Sequence, residues 1–276
     1  MLANYLHTTH PLSKRRACRL VMLSSTSFYR RITTSLEDDE IKQALSELAA
    51  RQKTWGCDKM IAYFKNKGQP WNHKRIHRLY KELGLNIRIK PKRRFNKTTP
   101  EYLSQPIYKN VCWSLDFMSD ALDSGTKFRT LNVIDDYNRE ALRIIAAFSI
   151  PATMVTRTLD DVGKQHGYPC SIRIDNGPEL IAKHFKQWAM QRHITLRYIQ
   201  PGKPAQNGLI ERFNRTYRQD VLDANLFSSL QAVQELTDQW VVDYNTIRPH
   251  EALGNRSPKQ FEKYRSTIVQ KMARFE

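Results

Sequence analysis

The chain has 276 residues, 40% of them hydrophobic, and 45 Lys and Arg against 27 Asp and Glu, a formal net charge of +18. That length admits one large domain or two ordinary ones, and the basic excess favours a polyanionic partner, nucleic acid ahead of membrane. No apolar run approaches the roughly 20 residues that a bilayer span needs. No apolar leader opens the chain, and Cys18, Cys57, Cys112 and Cys170 are scattered, which argues for a reduced cytoplasmic protein over a disulfide scaffold.

The charge is segregated. Residues 1–100 hold 22 Lys and Arg against 7 Asp and Glu, a net of +15, and the remaining 176 carry +3. The first third therefore reads as the main DNA grip. Residues 1–36 form a basic N-terminal helical segment, with Lys14, Arg15, Arg16 and Arg19 ahead of a Ser/Thr-rich turn.

Residues 37–90 read as a helix-turn-helix DNA-binding domain. Ile41, Leu45 and Leu48 recur at i, i+4, i+7 behind the acids Glu37 to Glu40, predicting a helix over 37–52. Trp55-Gly56 breaks it. A second helix carries Met60, Ile61 and Phe64 and ends at Gly68, and a third follows Pro70 with Ile76, Leu79, Tyr80 and Leu83. Its other face shows His73, Lys74, Arg75, Arg78 and Lys81, and a basic second helix is what such a motif presents to DNA. Lys74, Arg75 and Arg78 are the candidate contacts; the blander alternative is a helical bundle with solvated lysines. His73 and His77 have a zinc-ligand spacing, but only Cys57 lies near and a closed zinc site needs four ligands. Residues 91–106 lose periodicity and form a basic linker, where Lys92, Arg93 and Arg94 suit phosphate tracking.

Residues 107–265 have an α/β texture. Strands are predicted at 111–118, 127–134, 141–148, 171–175 and 194–199, the first three as an antiparallel meander through the Asp135–Arg139 turn. Helices are predicted at 152–166, 179–192, 204–224 and 229–246, the last with Ser228 and Gln231 as a capping box. This order is that of a ribonuclease H-like core, a mixed five-stranded sheet flanked by helices. Residues 266–276 remain as a C-terminal tail.

Three carboxylates stand out. Asp116 lies in mid-strand, with Trp113, Leu115 and Phe117 pointing to the opposite face; such an acid is costly unless paired or metal-bound. Asp175 ends Ile172-Arg173-Ile174 before an Asn-Gly turn, and Glu211 follows after 35 intervening residues on the helix that begins near Ala205. Clustered acids repel, and metals remove that cost, so the set points to a two-metal site acting on phosphodiesters. Asp135, Asp136 and Glu179 are assigned instead to turns and helix starts.

Trp113-Ser114-Leu115-Asp116-Phe117, Asp175-Asn176-Gly177-Pro178-Glu179, and Gln200-Pro201-Gly202-Lys203-Pro204-Ala205-Gln206-Asn207-Gly208 running to Glu211-Arg212-Phe213-Asn214 resemble the DDE transposases. More narrowly, they are similar to the second-reading-frame (OrfB) transposases of bacterial insertion sequences, relatives of retroviral integrases. The tail Asp243-Tyr244-Asn245, with Arg248-Pro249-His250-Glu251-Ala252-Leu253-Gly254 and Ser257-Pro258, also matches. The resemblance implies nicking at element ends and strand transfer, with Asp116, Asp175 and Glu211 holding two Mg²⁺ ions (Mn²⁺ as a substitute). It further implies that Lys203, Asn207, Arg212, Arg215 and Arg218 hold DNA near the site. Implied partners are double-stranded DNA at element ends and target, a second copy of the chain, and a first-reading-frame protein; the implied location is the bacterial cytoplasm, at the nucleoid. The chain lacks the His₂Cys₂ zinc domain of retroviral integrases and any long heptad stretch. Two rivals share these features: a DNA-binding regulator with an idle catalytic fold, and a ribonuclease H-type hydrolase of RNA–DNA hybrids.

Overall fold

The computed structural model describes residues 2–10, 12–24, 26, 28, 36–87, 106–200 and 204–272. It divides into two compact units, Met1–Ala44 and Leu45–Glu276.

In the first unit, α1 (Leu2–Thr9) packs on α2 (Lys14–Leu20). Ser13 caps α2 by accepting from the Arg16 amide at 3.3 Å. The division between units falls inside α3 (Leu36–Arg51), whose first turn carries Glu37, Asp38 and Asp39.

The second unit continues with α4 (Cys57–Asn66) and α5 (His73–Glu82). Gly68, at φ +80, makes the left-handed turn out of α4. Asn72 then caps α5, its side chain accepting from Lys74 N at 2.9 Å. Met60, Phe64, Ile76, Leu79 and Tyr80 are buried, and Trp55 stands edge-on to Tyr63. The outer face of α5 exposes His73, Lys74, His77, Arg78 and Lys81, as its apolar spacing requires.

The sheet comprises β1 (Cys112–Ala121), β2 (Lys127–Asp135), β3 (Ala141–Ala147), β4 (Ser171–Ile174) and β5 (Thr195–Tyr198), in the order β3-β2-β1-β4-β5. The first three strands form the expected antiparallel meander, and β4 and β5 add in parallel. Helix α6 (Ala152–His166) makes the crossover from β3 to β4. Odd residues of β1, Trp113 and Leu115, pack with Leu131, Val133, Ile172 and Ile174 against α6 and the helices after β4. The other face carries Ile134 and Ile144 and is covered by α9 (Gly208–Tyr217) and α10 (Leu230–Thr246) through Ile210, Phe213, Tyr217 and Val233.

Four expectations are corrected. The helix expected over 179–192 is two, α7 (Pro178–Ile181) and α8 (Lys183–Gln191), separated by Ala182 at φ −55°, ψ 141°. Leu180 and Phe185 are both fully buried, but five residues along one helix lie about 140° apart, so the break re-phases them onto the sheet. The helix expected over 204–224 is a 3₁₀ turn at Pro204–Asn207, then α9, then a π turn at Arg218–Leu222. The π turn, with Asp223 N bonded to Arg218 O at 2.8 Å, lets Val221 and Leu222 bury after Tyr217. Ser229, not Ser228, caps α10, accepting from Ala232 N at 3.2 Å; Phe227 O is tied to Asp123 N at 2.9 Å and holds the preceding residues in the loop. Finally, α11 (Pro258–Met272) runs into the segment read as a tail, as far as Met272. It begins with reciprocal bonds between Ser257 and Gln260, a capping box not singled out in the sequence.

Candidate active site

Asp116 is half-buried in mid-β1 on the face turned toward α9. The register of β1 with β4 holds a constant offset through Cys112↔Ser171, Trp113↔Ile172 and Ser114↔Arg173. Continued two residues, it brings Asp175, just past the end of β4, alongside Asp116. Asp175 is shaped by its turn, its Oδ1 accepting from Gly177 N at 3.0 Å. Glu211 stands in the first turn of α9 and is exposed.

Asp116 senses the other two acids. Burial, opposed by the Phe117 amide, is the largest cause that pushes the Asp116 carboxyl up to about 6; the charges of Asp175 and Glu211 push it further the same way. Two donors hold it as a carboxylate: Phe117 N to Oδ1 at 2.8 Å and Asn214 Nδ2 to Oδ2 at 2.7 Å. Asn214 lies three residues after Glu211, so the face of α9 that carries the acid is the face pinned to β1.

The Asn214 amide is itself oriented. Its Oδ1 accepts from Asn132 Nδ2 at 2.7 Å, and Asn132 is the β2 residue directly opposite Asp116 in the strand register. Asn132 is fully buried and its Oδ1 has no hydrogen-bond partner among the described residues. Neither asparagine was among the predicted site residues. The signal was present in Leu131-Asn132-Val133, a polar residue in an apolar strand, which is the same argument that singled out Asp116.

The remaining acids take the structural places expected of them. Asp135 accepts from the amides of Asn110 and Tyr137, both at 2.8 Å. Asp136 is buried against Arg173 at 2.9 Å and accepts from Ser114 at 2.6 Å. Glu179, in the first turn of α7, pairs with Arg129, whose guanidinium lies over the Phe117 ring.

The basic candidates are dispersed. Arg218 reaches back to β1, with Nη1 3.2 Å from Asp120 and Nη2 donating to Ser119 O at 2.8 Å. Arg212 and Arg215 are exposed on α9. Asn207 is buried at the head of α9, with its Oδ1 unbonded. Lys74 is exposed on α5, Arg75 is half-buried, and Arg78 pairs with Glu82 at 2.7 Å. Lys92, Arg93, Arg94 and Lys203 lie outside the described residues.

An all-carboxylate set on a strand, a strand end and a helix suits a hard divalent cation, which takes oxygen ligands. Among the described residues, no group of three or more His, Cys, Asp or Glu side chains is drawn tightly enough to hold one metal ion as it stands. Coupling without close contact is the arrangement that mutually repelling carboxylates adopt.

Comparison with known proteins bears on the family and the fold. Two models described as integrase core domain match residues 108–204 and 192–258, and a model described as HTH-like domain matches 35–94. A 31.7 kDa protein of insertion element IS407 from Burkholderia multivorans is 38% identical over 257 residues, 93% of each chain. A transposase for insertion sequence element IS904 from Lactococcus lactis is 26% identical over 86% of this chain and 97% of its own. Among solved structures, one chain of a simian T-cell lymphotropic virus intasome complex superposes with a TM-score of 0.50 at 15% identity, covering 71% of this chain and 68% of that one. That likeness is one of fold.

Proposed function

From a chain that belongs to the integrase-core family of insertion-element transposases, we propose a divalent-metal-dependent DNA strand-transferase whose active site is Asp116, Asp175 and Glu211. The observation that carries this reading is Asp116, a half-buried acid raised to about 6 and facing two more acids, with no basic residue among the causes of its shift. Carboxylates so arranged destabilise the fold unless they serve a cation.

The three acids would hold two Mg²⁺ ions, or Mn²⁺ in their place. The chemistry such ions supply when bound is Lewis-acid polarisation of the phosphoryl group and activation of the attacking oxygen. The chain's own part is placement. Asn214 and the Phe117 amide fix both oxygens of Asp116, and α9 carries Glu211 opposite. In the first step water attacks the scissile phosphorus in line and the bond to O3′ breaks, freeing a 3′-OH. That hydroxyl then attacks a target phosphorus and displaces its 3′ oxygen, with no covalent protein intermediate.

Duplex DNA would be gripped by Lys74, Arg75 and Arg78 on α5 and by the linker Lys92, Arg93 and Arg94. Near the site, Lys203, Asn207, Arg212, Arg215 and Arg218 are the proposed contacts. Cutting paired ends calls for a second copy of the chain, and a first-reading-frame protein would complete the machinery.

The test is strand transfer on a labelled duplex carrying the source element's terminal repeat, with Mg²⁺. Wild type should give nicked and joined products that disappear in Glu211→Gln and Asp175→Asn while DNA affinity stays within about threefold. Either variant retaining activity would remove that residue from the site. Binding without products, with or without the first-frame protein, would favour a regulator.

A further inference from the structure

A second feature of α9 lies on the side away from Asp116. Leu209, Arg212, Phe213 and Thr216 line a cavity of about 180 Å³, bordered also by Lys59 of α4, Arg139 of the β2–β3 turn, Tyr244, and Arg248 to Ala252. The liquid-phase share of a water is about 30 Å³, so the cavity has room for a tetrahedral oxyanion with its waters.

Its lining is cationic. Lys59, Arg139, Arg212 and Arg248 all border it, against one carboxylate, the exposed Glu251. Arg248 is neutralised from behind by Asp220, which also accepts from Thr54 and from Trp240 Nε1. Lys59, Arg139 and Arg212 have no ion-pair partner among the described residues. Two side-chain nitrogens are buried and unbonded among the described residues, Arg139 Nε and His250 Nε2, and a buried polar group left so is unfavourable. Arg139 also sits at φ +62, a conformation that a turn would normally give to Gly or Asn. The turn thus tolerates strain to keep a guanidinium here.

The charges feel their crowding. Burial and the neighbouring Arg248 lower Lys59 to about 8. Burial, with Arg248, Arg139 and Lys59, lowers His250 to about 3, so the imidazole is neutral. An anion reverses both penalties.

We propose that this cavity binds a single phosphate group, held by Lys59, Arg139, Arg212 and the neutral imidazole of His250. The Arg248-Pro249-His250 motif, which the catalytic reading leaves without a role, thereby gains one: Arg248 sets the field and His250 supplies an N–H. A phosphate bound there touches the same helix that carries Glu211. The phosphate could belong to the backbone of bound DNA, in which case the proposal rests on the transposase reading, or be free in solution.

Thermal unfolding of the full chain in inorganic phosphate, against chloride at matched ionic strength, tests the site. At ten times Kd, wild-type Tm should rise by about 2–4 °C. Arg139→Asn, which suits the positive φ, and Lys59→Met should each abolish the rise while keeping the unliganded fold. DNA titrations then identify the source. A backbone phosphate predicts about tenfold weaker duplex binding in both variants and a log K against log salt slope shallower by about 1. Loss of the phosphate response with unchanged DNA binding assigns the site to free phosphate. Variants that respond to phosphate and DNA as wild type does overturn the proposal. A chain that keeps an Arg139-dependent phosphate response but never joins DNA refutes the transposase reading and leaves the cavity's role standing.

Discussion

Asp116→Asn should inactivate the protein and stabilise it. The side chain is a half-buried carboxylate raised from 3.8 to about 6, by burial first and then by Asp175 and Glu211. A two-unit shift corresponds to about 3 kcal/mol, and screening at a partly exposed group reduces that to about 1–2 kcal/mol. The sign follows from proton binding. Between pH 3.8 and 6 the folded chain holds the proton that the unfolded chain has released, so the contribution of this group to wild-type stability is greatest below 3.8 and falls as pH rises through 6. An amide in its place has no such dependence. The introduced amide can donate to Asn214 Oδ1 if the Asn214 amide turns, and the Asn132 amide must turn with it so that its Oδ1 accepts from Asn214 Nδ2. Urea unfolding in chelator at about pH 7.5 should therefore show the variant about 1–2 kcal/mol more stable, and the gain should vanish near pH 4. Adding Mg²⁺ at the higher pH should raise wild-type stability and leave the variant nearly unmoved. A variant less stable than wild type at that pH, or a gain that persists in acid, would refute the electrostatic account of this site.

Asn214→Ala removes a donor that favours the ionised Asp116, so the carboxyl midpoint should move above about 6, read by carboxyl NMR in chelator, and turnover should fall about tenfold with little change in KM. A midpoint that stays put would deny Asn214 its orienting role. Asp220→Ala leaves the Arg248 guanidinium buried without its counter-charge and frees Thr54 and Trp240; a loss of about 3–5 kcal/mol in urea unfolding is expected, and a cost below about 1 kcal/mol would place that ion pair in solvent.

The elements readable from sequence were those whose period matches their burial. Helix α6 occupies the predicted 152–166 because Val155, Leu159 and Val162 recur at helical spacing and are all buried. The meander was readable because β1 alternates, Trp113 and Leu115 toward α6 and Asp116 toward α9. Spacing failed where a helix changes phase. Leu180 and Phe185 both demand the core, and nothing in Ala182 announces the extended residue that satisfies them. The π turn at Arg218–Leu222 is equally silent, since it answers to Asp220 meeting Arg248 and Trp240 from another helix and the loop after it.

The acids show where local reading ends. Asp116 lies in mid-strand and Asp136 in the polar turn just past β2, yet both are raised by burial. What separates them is the company brought by residues far along the chain. Asp136 meets Arg173 at 2.9 Å and is neutralised, a structural pair. Asp116 meets Asp175 and Glu211 and is not. Its side-chain donor among the described residues, Asn214, is 98 residues away and is itself set by Asn132 on the adjoining strand. An acid flagged by its cost is thus a question that only tertiary neighbours answer. Here they answer it oppositely: an arginine beside Asp136, where the charge serves the fold, and two more acids beside Asp116, where on the proposed reading it would serve a cation.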